Sequence, residues 1–196
     1  MTAPDPLTLL DRAVEQTGNV IAHAQPAQAG LPTPCRSWDV QALVEHMVLD
    51  VDQFTAAATG GRPDWSRPAS AVANGWNEAF RDRAGALVAA WHDAGDLGEV
   101  VHLPIGDLPR SFVVNQQIAE FAVHAWDLAR ATGQDSSLDP VIAGQALAWA
   151  KAALRPEFRG PEDAGKAFGP EVDADDDAPM ADRLAAYFGR DPAWRS

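Results

Sequence analysis

The stretch FVVNQQIAEFAVHAWDLARATG, residues 112–133, constrains the fold of this chain more than any other. Val113, Val114, Ile118, Phe121, Val123, Trp126 and Leu128 point in most directions around a helical axis, so a helix here is sheathed by protein on nearly every side. Between them runs a second stripe through Gln116 or Gln117, Glu120, His124, Asp127 and Ala131. Steps of three and four residues place these positions on one side of the helix. A carboxylate buried without a partner costs several kcal/mol, so the stripe has to meet something. Three readings are open from the pattern alone: a divalent cation held by Glu120 and His124, a Glu–His hydrogen bond inside the core, or a stripe turned to solvent.

The rest of the chain reads as further helices, giving an all-α fold. Helix 1 is predicted from about Asp5 to Ala27, with Leu7, Leu10, Val14, Val20 and Ile21 inward. Helix 2 starts at Ser37 or Asp39, both able N-caps, and runs to Thr59 before Gly60 and Gly61. Its buried stripe is Val40, Leu43, Val44, Met47, Val51 and Phe54, with His46 at the edge. Helix 3 is predicted over Ser70–Ala94, helix 4 over Phe112–Thr132 and helix 5 over Asp139–Leu154. Asp139 caps the last, with Pro140 at its first position. Between helices 3 and 4, GEVVHLPIGDLPRSF reads as a short hairpin around a Gly-Asp turn. The division expected is a helical bundle over residues 1–155 and a loop-rich extension over 156–196 packed on it, with one short helix from Met180 to Phe188. The connection from Thr59 to Pro68 matters for topology. About 11 extended residues reach roughly 36 Å, the length of a helix of 20 to 25 residues. A crossover bundle is therefore open beside an up-down one.

Charge excludes some functions. The net charge of −13 disfavours nucleic acid and anionic membranes, which select basic faces. No apolar run approaches the roughly 20 residues of a membrane span. The N-terminus lacks the basic and apolar regions of a signal peptide. A single cysteine leaves no intrachain disulfide, and cytoplasmic residence is the simplest expectation. The acidic run Glu171 to Asp177 reads as a solvated loop, since its spacing is not that of a calcium loop.

Glu120 and His124 stand one helical turn apart, and His46 faces inward from another helix. Two histidines and a carboxylate with an open position form the donor set of a catalytic zinc site, and also suit iron or nickel. His23, His92 and His102 fall near helix ends or in a loop and read as surface groups. Asp127 is open between orienting His124 and serving as an ion pair or core hydrogen bond. Cys35 lies two to three turns before His46, roughly 10 to 16 Å along the helix axis, so it is not expected among the ligands.

TPCRSWDVQALVEHM resembles the T-P-C-x-x-W-x-V-x-x-L-x-x-H block of the DinB-like metal-binding superfamily. More narrowly, it resembles the mycothiol-dependent maleylpyruvate isomerase N-terminal domain family. EFAVHAWDLARATG is similar to that family's second block, E-x-x-x-H-x-W-D-L-A-x-A-T-G, and the ending FGPEVDADDDAPMADRLAAYFGRDPAW is similar to an actinobacterial subfamily. The resemblance implies an up-down-down-up four-helix bundle. It also implies a divalent metal, zinc by preference, on His46, Glu120 and His124, with mycothiol or a similar thiol as cosubstrate beside an electrophilic substrate. A thiol-dependent transferase or isomerase and a non-catalytic metal-binding or sensor module are both consistent with it. The chain is short for the additional C-terminal domain of the full isomerase, and the motifs assign no thiol-binding residue. Oligomeric state, a homodimer included, is not legible.

Overall fold

The computed structural model describes residues 4–72, 75–103, 106–160 and 168–196. Among the described residues there are six α-helices: α1 Pro6–His23, α2 Val40–Ala58, α3 Trp76–Asp93, α4 Arg110–Thr132, α5 Pro140–Ala153 and α6 Met180–Tyr187. A hairpin of β1 (Val100–Leu103) and β2 (Gly106–Pro109) stands before α4.

Local chemistry sets the ends. Asp5 caps α1 by accepting from the Thr8 amide at 2.9 Å. The helix stops at His23, short of the predicted Ala27, because Ala24 turns extended and Pro26 starts a separate 3₁₀ turn. Proline lacks the amide that a continuing helix needs. Asp39 caps α2 through the Ala42 amide and Asp139 caps α5 through Val141, as predicted. Helix α3 begins six residues later than Ser70. The backbone of Val72 is instead tied sideways to α2: its amide donates to Glu45 Oε1 at 2.9 Å and its carbonyl accepts from Gln41 Nε2 at 2.9 Å. In the hairpin, Leu103 pairs with Gly106. The Gly-Asp pair therefore opens β2 rather than forming the turn, and the turn residues 104–105 lie outside the described residues.

Pairs of contacts along the helices give their directions. Thr17 reaches the Phe121 carbonyl, while Val20 and Gln28 meet Gln134 and Thr132, so α1 and α4 run the same way. Asp11 meets His92 and Asn19 meets Arg81, so α3 opposes α1. Glu45 meets Val72 and Asp52 meets Arg83, so α2 and α3 are parallel. The bundle is thus up-down-down-up. The connection over residues 59–75 crosses its length, and 17 extended residues reach about 56 Å against about 27 Å for the 18-residue α3.

Helix α4 is the axis of the molecule. It packs on α1, α2, α5 and α6, and every residue from Phe121 to Ala129 is buried. The tail completes its covering. Ala181, Leu184, Ala185 and Phe188 join the same apolar core. Trp126 Nε1 donates to Asp182 Oδ1 at 2.7 Å, and Arg130 pairs with the same carboxylate. Among the described residues, no helix is long and apolar enough to cross a membrane.

Candidate metal centre

Helices α2 and α4 are antiparallel neighbours, and their facing stripes bring His46, Glu120 and His124 together. One ligand atom from each lies within 4.8 Å of the others. The two imidazoles meet edge to face at 4.9 Å between ring centres, and Glu120 Oε2 is 3.4 Å from His124 Nε2. The side chains are 23%, 19% and 6% exposed for His46, Glu120 and His124, so the cluster is shielded yet reachable.

What reaches it is a cleft of about 1150 Å³. One wall is the loop before α2, with Cys35, Arg36, Ser37 and Trp38. The other is the segment 168–172 together with 188–190. The first wall is folded back by Thr33, whose hydroxyl donates to the carbonyls of Cys35 (2.9 Å) and Trp38 (2.8 Å). Trp38 then stacks over His46, with ring centres 4.3 Å apart. Cys35 consequently lines the cleft. It remains outside the three-residue cluster.

The surrounding groups polarise the site. Asp127 Oδ2 faces His124 Nδ1 at 3.1 Å and also accepts from Arg190 Nη2 at 2.9 Å. Burial would push Asp127 upward, but Arg190 and then His124 hold it below the usual carboxylate range. An ionised Asp127 fixes the proton of His124 on Nδ1 and leaves Nε2 turned toward Glu120 and the cluster. Burial opposes a charge on His124 too, yet its bonds to Asp127 and Glu120 raise it to about 9. Glu120 is lowered despite burial, first by its bond to His124. His46 goes the other way, to about 3, because it is buried and faces the His124 charge. Without a metal, His124 therefore carries the positive charge that balances Glu120.

Asp50, one turn beyond His46, was not among the residues singled out from sequence. It is buried, lies 3.3 Å from His46 Nε2 and accepts from Trp65 Nε1 at 3.1 Å. Burial and the nearby Glu120 charge raise it to about 8. Its signal was present: an acid at i+4 from His46 beside an apolar stripe. Arg190 had no such signal, since it is 63 residues from Asp127. Gln117 leaves the polar stripe to accept from Trp91 Nε1 in the core. His23, His92 and His102 sit at the surface against Asn19, Asp11 and Asp107, away from the cluster. The acidic run Glu171 to Asp177 is mostly exposed.

Residues 10–129 match the family model of the mycothiol maleylpyruvate isomerase N-terminal domain. The chain belongs to this family. The matched span contains His46, Glu120, His124 and Asp127, and stops before the tail that supplies Arg190. An uncharacterized protein of Mycobacterium tuberculosis, found in two strains, is 36% identical over 186 residues, covering 95% of this chain and 98% of its own. A crystal structure of the mycothiol-dependent maleylpyruvate isomerase superposes with a TM-score of 0.61 at 17% identity, over 76% of this chain and 68% of that one. A histidine-to-alanine mutant of the same isomerase gives 0.57 at 15% identity, with the same coverage. These likenesses establish the DinB-like helical fold expected from the motifs.

Proposed function

We propose that this chain is a metal-dependent enzyme that uses a low-molecular-weight thiol of the mycothiol type against an electrophilic small molecule. The observation that carries the reading is the convergence of His46, Glu120 and His124 at the inner end of an open cleft, in a chain of the isomerase family. The donor set fits a divalent ion with a vacant position, zinc first, with iron or nickel also served by it. His124 is already oriented for the task by Asp127 on its far nitrogen. When bound, such an ion supplies Lewis acidity, which lowers the pKa of a coordinated thiol from near ~8.5.

The chain's own groups do the rest. Glu120 offsets part of the cationic charge. Trp38 covers His46 and excludes water from that side. The cleft of about 1150 Å³ is slightly larger than the roughly 300–1,000 Å³ of a pocket for one drug-sized ligand, so it admits a small-molecule thiol. A thiol held at these donors would lie between residues of α2 and α4 and the two loop walls of the cleft.

The test is cobalt substitution. A thiol added to the cobalt protein produces a sulfur-to-metal charge-transfer band under this reading. The absence of a band with millimolar mycothiol, bacillithiol or glutathione refutes the thiol chemistry. A sensor or binding module gives the band without thiol consumption, and a screen of electrophiles with mycothiol separates it from an enzyme.

A further inference from the structure

The C-terminal segment reaches into the centre from outside the span that matches the family model. Phe188, Gly189 and Arg190 follow α6 and form part of the cleft wall. Gly189 has a left-handed φ of 87°. A Cβ there would lie 2.8 Å from Gly169 Cα and 2.9 Å from the Pro170 carbonyl. Only glycine permits this approach, so the turn that delivers Arg190 is pressed against the 168–172 segment of the same wall. The Arg190 amide donates to the Ala185 carbonyl at 3.0 Å, and Nη1 donates to Phe188 O at 2.9 Å. The guanidinium is then aimed at Asp127 with two prongs: Nε to Oδ1 at 3.2 Å and Nη2 to Oδ2 at 2.9 Å. Arg190 is 8% exposed and Asp127 is fully buried.

We infer that Arg190 is a positioning residue for the metal centre: by clamping Asp127 it fixes the ring of His124 and the nitrogen that His124 presents to the ion. The inference rests on the metal reading above. A fork of two N–H donors sets the plane of a carboxylate in a way that a point charge does not. Asp127 Oδ2 is shared between Arg190 and His124 Nδ1, so rotating the carboxylate moves the histidine. The tail is thus part of the site as well as a cover for α4.

A structural tether would behave differently, and Asp182 supplies the comparison. It also docks the tail, through Trp126 and Arg130, but touches none of the three ligands. Zinc affinity is measured by chelator competition in Arg190→Gln, Arg190→Lys and Asp182→Asn, with thermal unfolding of each. The metal-free proteins are compared by the His124 Nδ1 proton resonance. Loss of a ligand's supporting partner costs about 10- to 100-fold in metal affinity. Arg190→Gln is expected to show that loss, together with rapid exchange of the His124 Nδ1 proton. Arg190→Lys, which keeps the charge without the fork, recovers part of it. If Arg190→Gln fails to fold, Arg190→Lys decides, and wild-type affinity in it overturns the inference. Asp182→Asn lowers stability but keeps wild-type affinity. Wild-type affinity in Arg190→Gln, or an equal loss in Asp182→Asn, overturns the inference. Should the native protein take up no zinc, the metal reading fails alone. The His124 resonance then decides: unchanged in Arg190→Gln, it overturns the clamp.

Discussion

Breaking the buried Asp127–Arg190 pair from either end should have unequal costs, and repairing it should reverse most of the larger one. Asp127→Asn keeps the shape and an acceptor for His124 but leaves the Arg190 cation buried without its counter-ion. Orphaning one member of a buried pair costs about 3–5 kcal/mol. Unfolding entropy is about 2.1 cal/mol/K per residue, or about 0.41 kcal/mol/K for 196 residues, so the melting temperature should fall by about 7–12 °C. Arg190→Met is milder. Asp127 retains the protonated His124, raised to about 9, as a partner, so the loss is that of charged hydrogen bonds, about 1–3 kcal/mol, or about 2–7 °C. The double variant contains no orphan charge and should melt above Asp127→Asn, since replacing both members of a buried pair is often near neutral. Calorimetry at pH 7 with chelator present completes the cycle. If the double variant loses as much as the two single losses together, the pair is not coupled and the reasoning is wrong.

Other outcomes follow from the same geometry. His46→Ala and Glu120→Gln should each lose stoichiometric metal by elemental analysis while His23→Ala and His92→Ala keep it; a full equivalent in both of the first two refutes the ligand set. Cys35→Ser should retain metal, because the thiol lines the cleft without joining the three donors. In the metal-free protein, stability should decline between about pH 6.5 and 9, because below pH 6.5 His46, lowered from 6.5 to about 3, offsets Asp50 with the opposite slope. His124 is raised from 6.5 to about 9 and Asp50 from 3.8 to about 8, so each contributes stability below its unfolded pKa that is lost as pH rises through its folded one. Urea denaturation across that range checks this, and Asp50→Asn should flatten the part below pH 8; a flat wild-type profile refutes it. Zinc binding at pH 7 should release a proton from His124, visible as a buffer-dependent heat in titration calorimetry.

The chemistry on α4 was legible because it is periodic. Glu120 and His124 are one turn apart, and the apolar positions around them required a central, sheathed helix. The length of the α2–α3 connection permits a crossing but leaves an up-down bundle equally open, and the contacts along the helices decide it. Other features depended on partners distant in sequence. The start of α3 is delayed by Val72 bonding to Gln41 and Glu45, and no local propensity records that. Distance along a helix axis sets Cys35 apart from His46, but Thr33 bends the loop back so that Cys35 lines the same cleft. The Gly-Asp pair resembles a turn and lies in a strand, since register is set by the whole hairpin. Asp127 stood between two readings until Arg190, far along the chain, showed that it serves both as ion pair and as support for His124.

The floor of the cleft and its walls are made of different material. His46, Glu120 and His124 project from helices locked into the core, whereas the lips come from the loop at 34–38 and the segments at 168–172 and 188–190. Loops accept insertions and substitutions that packed helices do not. Descendants of this chain are therefore free to vary the cleft mouth while inheriting the same three donors. The exceptions are Arg190, which holds Asp127, and Gly189, wedged against Gly169, where a single added methyl group would close off that freedom.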